Sequence, residues 1–386
     1  MRIHKSFSRI AQAGIIAGAF CGGLAFITVP VAMAAPQNPS TVTATNSYAD
    51  IVDRVTPAVV TIRSAKRVRA AQQFPFSDDP FFREFFENGN RNRQRDEQSL
   101  VEHALGSGVI VSPDGYILTN HHVIDGADEI SVELTDRRSF AAKVIGSDAP
   151  SDLALLKIEA NNLPVLSLGD SDKVRVGDVC LAVGNPLGIG ETVTAGIISA
   201  RGRATGLSDG SFEDFLQTDA AINQGNSGGA LVNTRGELIG INSQIISPSG
   251  GNIGIGFAIP SNMALNVTEQ LKKSGKVRRG RLGVGIQEIT SDLATSLGLH
   301  DVRGVLVNSV ESGSPAERAG MKTGDVITAV NGKRVDNANG LRNQIAGTAP
   351  GTDVALTVLR EGREQQIQAH LGELTPSNGC SVSWRR

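Results

Sequence analysis

Ser227 lies in the run Gly225-Asn226-Ser227-Gly228-Gly229, a setting in which a hydroxyl can act as a nucleophile. A serine attacks a carbonyl only when its oxygen is reachable, a base takes its proton and N–H donors receive the oxyanion. Flanking glycines allow the sharp turn that would aim the N–H groups of Gly225 and Ser227 at one point. A glycine-rich turn merely capped by its serine has the same local pattern, so the partners must decide. Of six histidines in the chain, two stand side by side, His121 and His122 in "LTNHHVIDG". Neighbours on an extended strand face opposite ways, so at most one of them would look into a given site. Asp152, between the histidines and the serine, opens the apolar run "SDLALLKI". A carboxylate anchored at a strand mouth suits the task of fixing an imidazole tautomer and stabilising the imidazolium. Asp148 and Asp125 are competing carboxylates in loop positions.

The pattern Gly-x-Ser-x-Gly also marks the nucleophile elbow of α/β-hydrolases, where the chain order is Ser, acid, His. The histidines after Ser227 are His300 and His370, both in a separate C-terminal stretch. The elbow also needs a strand-to-helix turn, whereas "GGALVNTRGELIGI" continues as a hairpin. The order that remains is His, acid, Ser.

The elements that must bring these residues together read as β. From Leu105 to Ile259 short apolar or alternating runs recur, among them "GSGVIVS", "VCLAVGNP", "TVTAGIISA" and "GIGFAIP". Glycine, 44 of 386 residues, punctuates them with tight turns, and "SPDGY" and "NTRGE" have hairpin composition. No strand alternates with a long helical pattern, which argues against a parallel α/β sheet and for barrels or a sandwich. "SYADIVDRVTPAVVTI" predicts a short helix capped by Ser47, with Tyr48, Ile51, Val52 and Val55 inward and Pro57 ending it. "PSNMALNVTEQLKKSG" predicts a helix closing the region, and the basic stretch "KKSGKVRRG" a linker at 276–280. Residues 281–372 carry their own strands and two helical segments, "SPAERAG" and "NANGLRNQIA", and form a second unit. Within 74–98 six of the 13 phenylalanines fall between Phe74 and Phe86, a cluster suited to contact with another chain or domain. Residues 373–386 have no periodic pattern and read as a tail.

Residues 1–34 read as a secretory signal peptide: Arg2, Lys5 and Arg9, then an apolar run from Ile10 to Val31, then Ala32-Met33-Ala34. The run is long for a leader, so an uncleaved inner-membrane anchor is the alternative. A lipid anchor on Cys21 is disfavoured by bulky Phe20 before it. Residues 35–46 are polar and predicted disordered, and the domain from 47 to 275 follows. Removing the leader takes three basic and no acidic residues, leaving 34 Lys+Arg against 39 Asp+Glu. That balance gives no reason to expect nucleic-acid binding. Cys180 and Cys380 are too distant to suggest a disulfide framework. With no Cys, His or acidic cluster at ligand spacing, neither metal nor cofactor is expected.

Together "TNHHVI", "SDLALLKI" and "GNSGGAL", 30 and 75 residues apart at His122, Asp152 and Ser227, resemble the HtrA/Deg family of chymotrypsin-like serine proteases. "SGGNIGIGFAIPSN" and the single C-terminal unit match too, so the resemblance spans about residues 45–372. It implies a mainly β fold, a chymotrypsin-like double β-barrel followed by a small α+β PDZ domain. It also separates the two histidines: the family pattern Thr-Asn-x-His-Val makes His122 the general base, with Asp152 its orienter and Ser227 the nucleophile. Gly225, Asn226 and Ser227 would supply the oxyanion amides.

Ala221, six positions before Ser227, stands where trypsin-type enzymes carry an acid, and Ile222 follows. A neutral, narrow pocket made with Ile253 and Ile255 would favour small aliphatic residues at the cut. Asn226 replaces the aspartate that pairs with a new N-terminus in zymogen-activated relatives, so control would fall to the loops 74–98, 184–206 and 243–255. Arg203 resembles the basic residue that relays a signal among such loops. Arg281, Leu282, Gly283, Val284 and Ile286 match the PDZ segment that captures a peptide C-terminus, with Leu341 and Ile345 on the facing helix. The resemblance implies an exported, periplasmic, ATP-independent endopeptidase acting on unfolded polypeptides, assembled as a homotrimer or larger cage, with peripheral membrane contact. The alternative from another class is a holdase or adaptor whose PDZ unit binds misfolded chains while its protease site is dispensable.

Overall fold

The structure, a computed structural model, describes residues 47–68, 100–185, 191–206, 211–223, 225–245, 252–296 and 303–375. The predicted leader, the stretch 35–46 expected to be disordered, the Phe-rich loop 74–98, most of the tail and parts of the loops 184–206 and 243–255 lie outside the described residues.

Strand alternation in the sequence becomes two closed barrels. β1 (Val59–Val68), β2 (Leu100–Ile110), β3 (Tyr116–Thr119), β4 (Glu129–Glu133), β5 (Ser139–Asp148) and β6 (Leu153–Ile158) close in the order β1-β2-β3-β6-β5-β4. β7 (Val179–Gly184), β8 (Thr192–Arg203), β9 (Phe215–Thr218), β10 (Ala230–Asn233), β11 (Leu238–Ile245) and β12 (Gly256–Pro260) close as β10-β11-β12-β9-β8-β7. Because side chains alternate across a strand, each apolar run divides between two cores. In β6, Ala154, Leu156 and Ile158 fill the first barrel, while Leu153 and Leu155 join a shared core with Leu181 and Val232 of the second. The unbroken apolar character of "LALLKI" thus reflects burial on both faces. Cys180, Ile198, Leu216 and Leu231 fill the second barrel. There burial pushes the Cys180 thiol up to about 11, against a hydrogen bond to Thr218.

The helix Ala49–Val55 forms where its sequence predicts one, with Tyr48 at the N-cap position and Ser47 Oγ accepting the Ala49 N–H at 3.1 Å, and it packs Tyr48, Ile51 and Val55 on the shared core. The helix Ser261–Ser274 buries Ala264, Val267 and Leu271, a 3.6-residue stripe, on the same core. Gly275 ends it in the left-handed conformation (φ +72), with its N–H on Leu271 O at 2.8 Å.

The C-terminal unit is a sheet of β14 (Val284–Glu288), β15 (Val305–Val310), β16 (Val326–Val330), β18 (Asp353–Arg360) and β19 (Arg363–His370) in that order. β17 (Lys333–Arg334) pairs with β16, and β13 (Gly280–Arg281) pairs with β20 (Gly372–Glu373). The helix Ala338–Ala346 covers the sheet.

The basic stretch after Ser274 is a built joint and not a free linker. Arg279 is buried and donates to both carboxylate oxygens of buried Asp148, one bond at 2.8 Å. Its guanidinium lies 4.5 Å from the Phe212 ring centre and that of Arg342 lies 4.6 Å from it. Asn339 and Asn343, on the C-terminal helix, both donate side-chain amides to Glu213 O, at 2.7 and 2.6 Å. A cavity of about 500 Å³ opens beside this joint, lined by Asp172, Arg201, Asp214 and Lys333 among others.

Burial raises the Asp214 carboxyl to about 6; Lys333 and Arg201 oppose the shift and Asp172 adds to it. An unfolded aspartate ionises near 3.9, so the folded state loses stability as pH rises between about 4 and 6 and does not regain it above. Asp214→Asn should therefore raise the melting temperature at pH 7.5 by roughly 2–4 °C while leaving it unchanged at pH 4, read by differential scanning calorimetry.

Candidate active site

The histidine doublet does not lie on a strand. β3 stops at Thr119, and His121–Ile124 form one helical turn after Asn120. The extended-strand argument for the doublet therefore gives way to helical geometry, in which neighbours are turned about 100° apart. The turn is held from the Asp152 side: Asp152 O accepts from His121 N (3.1 Å) and from Asn120 Nδ2 (2.9 Å).

The Asp152 carboxylate takes His122. Its Oδ1 accepts the His122 backbone N–H at 3.1 Å, and both oxygens lie 2.9 Å from Nδ1. Ser243 Oγ donates to Oδ2 at 2.8 Å. Asp152 itself is left-handed (φ 54, ψ 40) at the end of the tight turn Ala149–Ser151, a conformation aspartate tolerates better than most residues. Burial alone would raise its pKa, but the His122 charge and hydrogen bonds from His122 and Ser243 outweigh it and hold the carboxyl below the usual range. The competitors are engaged elsewhere: Asp148 with Arg279, and half-exposed Asp125 3.6 Å from His121 Nε2.

Ser227 is joined to this pair through Ser243. Its Oγ donates to Ser243 O at 2.9 Å, so one residue of β11 holds both the acid and the nucleophile. Gly106 sits between the two halves: a Cβ there would lie 2.7 Å from Val123, next to His122, and 3.3 Å from Ser227 O. Gly225 (φ +95) and Gly228 (φ +83) shape the turn, and a Cβ on Gly228 would fall 2.1 Å from Ser107 O. No acceptor among the described residues takes the N–H of Gly225 or of Ser227. The Asn226 N–H, expected to be a third oxyanion donor, instead bonds Asn223 O at 3.0 Å.

Ser243 went unread in the sequence. Its signal is a polar pair, Asn242-Ser243, both about fully buried within the apolar strand "LIGINSQI".

Around the serine, Ala221 is half-buried and its carbonyl accepts from Thr194 Oγ1 at 2.8 Å. Ile255 is half-buried, and Ile253 is exposed. Ile222, expected to line a pocket, turns inward from the loop after β9 and packs in the barrel core, where a Cβ on Gly256 would lie 2.9 Å from its side chain. Arg203 is exposed at the end of β8, opposite Phe215, with no side-chain hydrogen bond or ion pair among the described residues. The contacts leading toward the site run instead through Glu213, whose carboxylate accepts from Thr205 and Gly206, and through Gln244 Nε2 on Thr205 Oγ1 at 3.1 Å.

In the C-terminal unit Val284 and Ile286 are half-buried on edge strand β14. Leu282, Leu341 and Ile345, expected to line a groove, are packed in the core under the sheet. Gly283 (φ +79) lies where a Cβ would meet the Ser314 Cβ at 2.4 Å, and Arg281 pairs with Glu311.

The trypsin-like peptidase domain family matches residues 106–241, and the PDZ domain family matches residues 280–371. A probable periplasmic serine protease do/HhoA-like of Haemophilus influenzae is 48% identical over 341 residues, 86% of this chain and 73% of that one. The periplasmic serine endoprotease DegP of Escherichia coli K12 is 44% identical over 379 residues, 94% of this chain and 80% of that one. Among solved structures, an HtrA-type protease AlgW with tripeptide is similar at a TM-score of 0.67 and 45% identity, over 86% of this chain and 99% of that one.

An asparagine at 152 cannot hold the same imidazole tautomer. Asp152→Asn should lower kcat on a peptide substrate by about 10⁴-fold with KM little changed, and Ser243→Ala by less, in steady-state assays.

Proposed function

This chain belongs to the HtrA/DegP family of PDZ-bearing serine endoproteases, and from that we propose that it cleaves unfolded exported polypeptides through an acyl-enzyme on Ser227. The observation that carries the reading is the double hold of Ser243 on Asp152 and Ser227. Ser227 Oγ turns from Ser243 O to the imidazole of His122, which takes its proton as the oxygen attacks the substrate carbonyl. The new oxyanion is received by the N–H groups of Gly225 and Ser227. His122, held as imidazolium against Asp152, returns the proton to the leaving amine as the C–N bond breaks. Water then repeats the sequence on the ester, releasing the acid and restoring the serine.

Half-buried Ala221 and Ile255 provide a small neutral surface beside Ser227, which supports a preference for small aliphatic residues before the cut. The unpaired edge of β14, with Val284 and Ile286 on it, supports capture of peptide C-termini by strand addition. No step of the chemistry needs a nucleotide. Export to the periplasm rests on the leader-like N-terminus and on relatives named as periplasmic; no helix among the described residues is long and apolar enough to cross a membrane. Assembly as a homotrimer is part of the same reading.

A serine-directed phosphonate should modify the intact protein at Ser227 alone, mapped by mass spectrometry, and Ser227→Ala should abolish casein cleavage. Cleavage retained by that variant would end the assignment. Loss of cleavage with undiminished suppression of client aggregation would add a holdase activity to the protease. Peptides with Val or Ala before the cut should be hydrolysed at least about ten-fold faster than those with Arg, and sedimentation should give a trimer.

A further inference from the structure

Ser107 has no part in the chemistry above, yet every polar atom it has is turned toward the second barrel or the strand beside it. It lies on β2 of the first barrel, fully buried. Its N–H donates to Ser227 O at 2.8 Å, and its carbonyl accepts from Thr119 Oγ1 at 2.7 Å. Its hydroxyl donates to Gly225 O at 2.6 Å and accepts from Asn185 N at 2.9 Å. Thr61, its cross-strand partner on β1, grips the same Asn185 through the side-chain amide, at 2.6 Å.

We propose that Ser107 is a positioning residue whose hydroxyl, held from the first barrel, fixes the oxyanion loop of the second in its working shape. The argument is geometric and rests on the reading of Ser227 as nucleophile. The two N–H groups that no acceptor among the described residues takes belong to Gly225 and Ser227, and the peptide plane between Gly225 and Asn226 lies between them in the chain. Its orientation sets the angle at which the two donors converge. Glycine at φ +95 has little steric restoring force of its own, so a plane at Gly225 needs an outside hold. The N–H of that plane, on Asn226, is held from within the loop by Asn223 O. Its carbonyl is held from the opposite barrel by the short bond from the buried Ser107 hydroxyl, where an unmade bond is costly. The hydroxyl cannot rotate away easily, since its lone pair is taken by Asn185 N, itself anchored to Thr61. The backbone bond from Ser107 N to Ser227 O fixes the other end of the same turn. The loop is thus clamped at two points to one strand residue of the opposite barrel.

Loss of a whole oxyanion donor costs ~10²–10³ in rate; loosening a pair that is still present should cost less. Ser107→Ala keeps the backbone bond and removes the hydroxyl alone. The expected result is a fall in kcat of about ten-fold or more with KM within two-fold. Affinity for a valine-ending peptide boronate, whose tetrahedral adduct places an oxygen at the same donors, should fall in parallel. Ser261→Ala is the matched control: it removes a buried hydroxyl bond of the second barrel's closing helix, to Gly169 O at 2.7 Å, without touching the loop or its clamp, and should keep kcat within two-fold at temperatures well below its melting point. Should the alanine variant not yield folded protein, Ser107→Cys, of similar size and with a weak donor, carries the test with the same readouts. The proposal is overturned if kcat and boronate affinity are unchanged in the Ser107 variant, if KM rises as much as kcat falls, or if Ser261→Ala loses as much. Phosphonate labelling of the wild type at Ser227 precedes these assays. Its failure would overturn the nucleophile assignment and this inference together, whereas a labelled wild type with an unaffected Ser107→Ala overturns this inference alone.

Discussion

A carboxylate taken out of water must be compensated on the spot, and at Asp152 the compensation comes from both barrels at once. His122, on a turn of the first barrel, presents its ring nitrogen and its backbone N–H. Ser243, on a strand of the second, presents a hydroxyl. Docking the barrels thus both buries the carboxylate and supplies part of what compensates it, and the same Ser243 orients the Ser227 hydroxyl through its carbonyl. The shared core built from Leu153, Leu155, Leu181 and Val232 supplies the non-directional part of that docking. The polar contacts at its rim supply register. Hydrophobic burial brings the barrels together, and a few desolvated hydrogen bonds decide how.

Much of this arrangement was legible beforehand, for physical reasons. Period-two alternation, interrupted by glycine turns, allows little other than barrels or a sandwich, and two closed barrels are what form. Asp152 was legible as the acid because it stands at the head of an apolar strand that must be buried, whereas local pattern did not separate His122 from His121 and the family resemblance did. The one-turn helix at His121–Ile124 was not. It depends on Asp152 O gripping Asn120 and His121 from 30 or so residues away, and no local pattern encodes such a hold. Ser243 and Ser107 were missed for the opposite reason: each is a lone small hydroxyl in a strand, and propensity assigns it nothing. Their importance lies in partners distant in sequence, chiefly in the other barrel: Asp152 for Ser243, and Gly225, Ser227 and Asn185 for Ser107. Leu341 and Ile345 show a further limit. Helical spacing reveals that a face is apolar, but not whether it meets its own sheet or a guest, and here the sheet claims it.

The two functional regions of the chain are also physically continuous. From the C-terminal helix, Asn339 and Asn343 hold Glu213 O; the Glu213 carboxylate caps Thr205 and Gly206; Thr205 accepts from Gln244, the neighbour of Ser243. Each link is a directional bond among buried or half-buried groups, and together they reach from the PDZ helix to the residue that holds both acid and nucleophile. Arg203, which the resemblance favoured for such a connection, lies outside it.

The Arg279–Asp148 contact gives the domain boundary a thermodynamic meaning that differs from its topological one. Counted by strands, the protease portion ends with the helix Ser261–Ser274, and a truncation there would look harmless. It would strip Asp148 of its Arg279 partner at the foot of the turn that presents Asp152. The residue that completes the first barrel electrostatically is encoded beyond the last element that completes it geometrically. An excised protease fragment that stops short of Arg279 is therefore a chemically different object from the same segment within the whole chain.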